Sequence, residues 1–114
     1  MRAALSTLLS VLLLGLAAAP APAAKLTAKH LLAAVDVPLS PALLERYGLD
    51  QPALERFLDD GKQRRYVRLR ALNGLGVLGT HSARDRVIEA LRSDADEVVR
   101  AEAAVVLARA WAQF

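Results

Sequence analysis

Cysteine is absent from all 114 residues. That excludes disulfides, thiolate metal sites, a cysteine nucleophile and an acylated lipoprotein cysteine, so packing alone must stabilise the chain. Histidine occurs only at His30 and His81. A zinc site takes three or four ligands, and His81 with Asp85 one helical turn on supplies two, so no metal is expected. No glycine-rich phosphate loop is present either, because Gly74-Leu75-Gly76 sits within a helical pattern rather than after a strand. Aromatics make up 4% and lysines are three of the fifteen cations. What is plentiful is alanine, leucine and arginine. With 54% hydrophobic residues and no long polar tract, the composition suits close-packed helices rather than disorder. The length holds one domain at most, and the net charge of +3 is mild.

The first residues have the three-part layout of a secretory signal peptide: Arg2, the apolar run Ala3–Leu16, then small residues with Pro20 and Pro22. Cleavage after Ala21-Pro22-Ala23 makes residues 1–23 the leader and Ala24 the mature N-terminus; Ala19 and Ala24 are competing sites. The expected destination is periplasmic or extracellular. An uncleaved membrane anchor is the alternative, since Ala3–Ala19 approaches the roughly 17 apolar residues that span a bilayer. About 90 residues would remain after cleavage, enough for a modest core.

Along the rest of the chain, capping signals set out helices. Thr27 opens a short one over Ala28–Val35, which Pro38 ends by disfavouring helix at Val37. Ser40-Pro41 starts another, running to Tyr47 and stopping at Gly48. Asp50 caps a third, with Leu54, Phe57 and Leu58 inward and Gly61 beyond its end. The helix Arg65–Leu78 turns Val67, Leu69, Ala71, Leu72, Leu75 and Leu78 inward and stops at Gly79. Gly74 and Gly76 inside it cost about 1 kcal/mol each relative to alanine, which suggests that a neighbour's backbone passes close by. Ser82 with Asp85 reads as a capping box for Ala83–Arg92. Asp94 with Glu97 then opens a last helix to about Ala112, apolar nearly all round except for Arg100 and a stripe of Glu102, Arg109 and Gln113. Such a helix expects neighbours on more than one side.

These helices repeat. Tyr66–Leu78 and Val98–Ala110 superpose at an offset of 32, matching Val67 with Val99, Arg68 with Arg100, Ala71 with Ala103 and Leu75 with Leu107. The preceding helices match at 33, Leu54 with Val87 and Leu58 with Leu91. A helix pair recurring at a fixed period of 20–50 residues is the mark of a solenoid. The expected architecture is all-α: five to six helices after the leader, in a short α-solenoid of antiparallel pairs. Residues 24–48 form an N-terminal helical cap and residues 49–114 two helix pairs.

The second unit, SARDRVIEALRSDADEVVRAEAAVVLARA, resembles a HEAT repeat, and more closely the short HEAT-like repeats of bacterial proteins. In that family an Asp in the inter-helix turn precedes by six residues an Arg in the second helix; Asp94 and Arg100 match it. In the first unit Arg68 matches, while Asp60 lies two residues too far away. The resemblance covers Asp50–Ala112. It implies a right-handed stack of helix pairs acting as a protein-binding surface; some relatives bind nucleic acid, and a few HEAT-like enzymes act on DNA bases or attach bilins.

Two groups of residues are candidates for binding. Val106, Trp111 and Phe114 form an apolar end able to pair with a second copy or another protein. Lys62, Arg64, Arg65, Arg68 and Arg70, with Tyr66 among them, form a basic run suited to phosphate, anionic lipid or an acidic segment. The plain alternative for that run is a solvated turn and helix face, with Arg68 tied to Asp59 or Asp60. Carboxylates at Asp59-Asp60 and at Asp94, Asp96 and Glu97 lie at helix boundaries, where negative charge caps amides. His81, Ser82 and Asp85 are too close on one turn for a nucleophilic triad. No catalytic residue, cofactor or small-molecule substrate is expected. The reading is an exported, non-catalytic HEAT-like scaffold for an unidentified protein partner or for self-association. Anion binding at a membrane surface is the alternative, a HEAT-like enzyme or bilin-handling protein the third reading. Export makes nucleic acid a poor partner.

Overall fold

A computed structural model describes residues 27–34 and 36–112. The leader expected at residues 1–23, Val35, Gln113 and Phe114 lie outside them. The described residues are helical, without strands: α1 (Thr27–Ala33), α2 (Pro41–Arg46), α3 (Gln51–Asp59), α4 (Arg65–Leu78), α5 (His81–Ser93) and α6 (Glu97–Ala110). Among them no helix is long and apolar enough to cross a membrane.

Local chemistry sets most boundaries. Ser40 Oγ accepts from Leu43 N–H and Asp50 Oδ1 from Ala53 N–H, while Pro41 and Pro52 occupy first-turn positions where no intrahelical donor is missed. Gly48 and Gly79 end α2 and α4 with φ of 67°, the left-handed conformation open to glycine. Three starts differ from the expected ones. α1 begins at Thr27 itself rather than at Ala28. Thr80, not Ser82, caps α5, its hydroxyl accepting from Ala83 N–H; Ser82 Oγ instead accepts from Gln51 Nε2. Asp96, not Asp94, caps α6 by accepting from Val98 N–H. Asp94 closes α5, and α6 ends at Ala110 rather than Ala112.

α3 pairs with α4, and α5 with α6. α4 is the centre: α6 and α5 pack on it, and α1 and α2 also reach it. Leu32, Leu54, Leu58, Val67, Leu72, Leu75, Val87, Val99 and Val106 are fully enclosed, joined by Leu44 and Leu49 from the N-terminal region. The close approaches at the α4 glycines are made by side chains, not by a backbone. A Cβ on Gly74 would lie 2.7 Å from Leu54 Cδ2, and one on Gly76 2.8 Å from Val106 Cγ1. The sequence spends helix propensity at these two sites to let α3 and α6 come close to α4.

Candidate functional site

Asp60 and Asp94 hold matching positions, each just past the first helix of its pair. Each folds Oδ1 back to accept the N–H two residues on, Lys62 at 3.0 Å and Asp96 at 2.9 Å. The arginines that follow also match. Arg68 Nε donates to Leu58 O at 2.7 Å, and Arg100 Nη1 donates to Asp94 O at 2.6 Å, each supplying a carbonyl orphaned at a helix end. Arg68 does one thing more. Its Nη1 and Nη2 reach Asp94 Oδ1 and Oδ2 at 3.3 and 2.5 Å, with the two side chains 14% and 8% exposed. Shielding makes such a two-pronged guanidinium–carboxylate contact costly to break by removing one partner, unlike a surface pair. Asp94 and Arg100 therefore do not meet through their side chains as the repeat motif suggests. Arg68 of the preceding pair occupies the carboxylate, and Arg100 is left with the carbonyl.

Arg65, Arg68 and Arg70 of the basic run have separate partners. Arg65 Nε donates to Asp96 Oδ2 at 2.7 Å, and that hydrogen bond, helped by the Val98 N–H, holds the Asp96 carboxyl below the ordinary aspartate range. Arg68 is enclosed as described, bound to Asp94 and Leu58 rather than to Asp59 or Asp60; Asp59 pairs with Arg86. Arg70 clamps the N-terminal region, Nε donating to Leu32 O at 3.3 Å and Nη2 to Leu31 O and Val37 O at 3.2 and 2.5 Å. Only Lys62 and Arg64 remain as exposed cations without such contacts.

Two of the three expected partner-binding residues, Val106 and Trp111, lie elsewhere than on an open face. Val106 is fully buried and Trp111 is 5% exposed, with its Nε1 directed at Gly79 O at 3.4 Å. Both belong to the core because α6 turns them onto α4 and the α4–α5 turn; Phe114 lies outside the described residues. The apolar groups that α6 does offer to solvent are Val98 and Val105, 37% and 51% exposed, together with Ala101, Ala104 and Ala108. At the repeat offset, Ala101, Ala104, Val105 and Ala108 correspond to Leu69, Leu72, Asn73 and Gly76 of α4. Those four are covered or half-covered: Leu72 is enclosed, Gly76 meets Val106, and Asn73 bonds Glu102 and Arg109 of α6. The face of α6 that repeats the covered face of α4 is thus open among the described residues. Once the covered face of α4 is known, the repeat offset points to this open one.

A groove of about 390 Å³ runs between α4, α6 and the segment carrying Pro38 and Leu39. Arg70 and Arg109 line it beside Val77 and Ala110, and Gly76 forms part of its wall. His81, Ser82 and Asp85 share the exposed first turn of α5. No group of three or more metal-ligating side chains occurs among the described residues. Compared with protein-family models, curated proteins and solved structures, the chain finds no match in any of the three.

Proposed function

We propose that the chain is an exported, non-catalytic HEAT-like repeat module that holds another protein, or a second copy of itself, against its last helix. The observation that carries this reading is the outer face of α6. Ala101, Ala104, Val105 and Ala108 repeat the positions through which α4 receives α6, yet stay open. Stacked helix pairs bury their faces against neighbours, and a pair lacking one on its outer side leaves a surface shaped for another helix. The short alanine side chains there would let that helix come close. Arg100 supports the same reading, since its counterpart Arg68 takes a carboxylate from the next pair, whereas Arg100 has only a carbonyl. An acidic residue on the docking helix pair would complete the pattern.

Because the chain has no cysteine, Val105→Cys creates a single attachment point for a photo-crosslinker. The mature form labelled there should give one discrete cross-linked product in envelope extract, or a dimer on its own. The product should vanish under competition by wild-type protein and survive competition by Val105→Asp. A sedimentation profile of a plain monomer, with the same faint products from Val105→Cys as from a Glu89→Cys control, would remove the reading.

A further inference from the structure

Two groups stand out among the arginines of the described residues. Arg65, Arg68 and Arg86 each have a carboxylate: Asp96, Asp94 and Asp59. Arg70 and Arg109 are held by neutral groups instead. Arg70 donates to three backbone carbonyls. Arg109 Nη2 donates to Asn73 Oδ1, and the Asn73 amide is itself anchored on Leu69 O at 2.8 Å. Glu102 accepts from Asn73 Nδ2 at 3.2 Å and forms no ion pair with Arg109. Among the described residues, Arg70 Nη1 and the Nε and Nη1 of Arg109 have no acceptor.

These two guanidiniums line the same groove, and no acidic residue lines it with them. A positive cleft with low-dielectric walls focuses its field on an incoming anion. Arg70 is held by three carbonyls and Arg109 by Asn73 before any ligand arrives, so part of the side-chain ordering is already done. The rest of the lining is carbon: Pro38 and Leu39 on one side, Val77 and Ala110 on the other, with Gly76 letting the helices close in beneath. The amide groups of α4 and α6 are spent inside their own helices, and Asn73 is fully engaged. A peptide laid along Val77 and Ala110, finding no helical backbone group to pair with, would leave its N–H groups there unpaired, at a cost for each. A ligand with one charged end and an otherwise apolar body would not.

We propose that this groove binds an alkyl carboxylate, the carboxylate held between Arg70 and Arg109 and the chain lying against Leu39, Val77 and Ala110. A volume near 390 Å³ sits at the lower end of the range for small-ligand sites and suits a medium-length chain. The site is separate from the outer face of α6 and does not depend on the scaffold reading.

The test is titration of the mature chain with decanoate, followed by amide chemical shifts and by the emission of Trp111, which adjoins Ala110. Saturable shifts should centre on Gly76, Val77 and Ala110. Decanol, equal in length but uncharged, should bind at least about tenfold more weakly, as expected for loss of a charge-assisted contact. Arg109→Ala should weaken decanoate by a similar factor with an unchanged helical spectrum. Arg70→Ala would also release α1, so Ala110→Glu, which sets a carboxylate and bulk in the groove, serves as the second variant and should abolish binding. The proposal falls if decanoate gives no saturable shift in the low-millimolar range, or if decanol binds equally well. It falls equally if the shifts gather at Val98 and Val105, or if a leucine-terminated peptide binds where decanoate does not.

Discussion

At the Thr27 side of the molecule, α1 lies on α4 with Leu31 and Leu32 buried, and Arg70 fastens the carbonyls of Leu31, Leu32 and Val37. On the opposite side α6 turns five small apolar residues outward, and Arg100 reaches only its own pair. Both sides border the same kind of helix, built on matched sequence. One is closed by a short segment and a polar clamp; the other stays open among the described residues. The contrast teaches that repetition in sequence specifies a packing face but not its occupant. The same position is core in α4 and surface in α6.

Matched substitutions on the two helices probe that contrast, and the widest gap should come from the arginines. Arg68→Ala strands the nearly buried Asp94 carboxylate and should cost about 3 kcal/mol in denaturant unfolding. Arg100→Ala, its counterpart, should cost under about 1 kcal/mol because one partly exposed contact is lost. Equal losses would mean that the two pairs are packed alike, against the structure. Next comes the clamp. Arg70→Ala should remove about 2 kcal/mol and speed hydrogen exchange at Leu31 and Leu32 while α6 amides keep their protection. Faster exchange in α6 as well would show that the closed side is not independent of the open one.

Smaller again is the glycine pair. Gly76→Ala drives a Cβ to 2.8 Å from Val106 Cγ1, and the crowding should outweigh the gain in helix propensity by about 1 kcal/mol. At the corresponding open position, Ala108→Val should stay within about 0.5 kcal/mol, measured by thermal unfolding. The mildest effect concerns acid. Asp96 has a lowered pKa in the folded chain, chiefly through Arg65, so its stabilising contribution is whole at neutral pH. It is lost as pH falls through that lowered value, below the ordinary 3.8. Asp96→Asn should therefore flatten the acid limb of the stability curve slightly, and an unchanged limb would separate Arg65–Asp96 from folding.

The bounds of α4 were readable because Gly79 and the repeat both mark its end, and the inward set Val67, Ala71, Leu72 and Leu75 follows from helical period alone. The start of α5 was misread because Thr80 and Ser82 are both competent caps. Gln51 bonds both hydroxyls, accepting from Thr80 and donating to Ser82, so the Thr80 oxygen is left to accept from Ala83 N–H while that of Ser82 is taken up. The outward face of α6 was harder. A helix that is valine and alanine on every side carries almost no direction of its own, so Val106 in the core and Val105 at 51% exposure look alike until α4 is in place. The Arg68–Asp94 contact was hidden for a related reason. Spacing within one repeat suggests a partner inside that repeat, while the bond crosses to the next. The groove was beyond sequence altogether, since Leu39, Arg70 and Arg109 come from three separate segments.

Arg68 joins the end of α3 to the cap of α5 with a single side chain. Neither hairpin can peel away without breaking the same guanidinium contacts, so the two should melt cooperatively. One calorimetric transition, rather than a stepwise loss from the C-terminal pair inward, is the thermal signature of such a rivet.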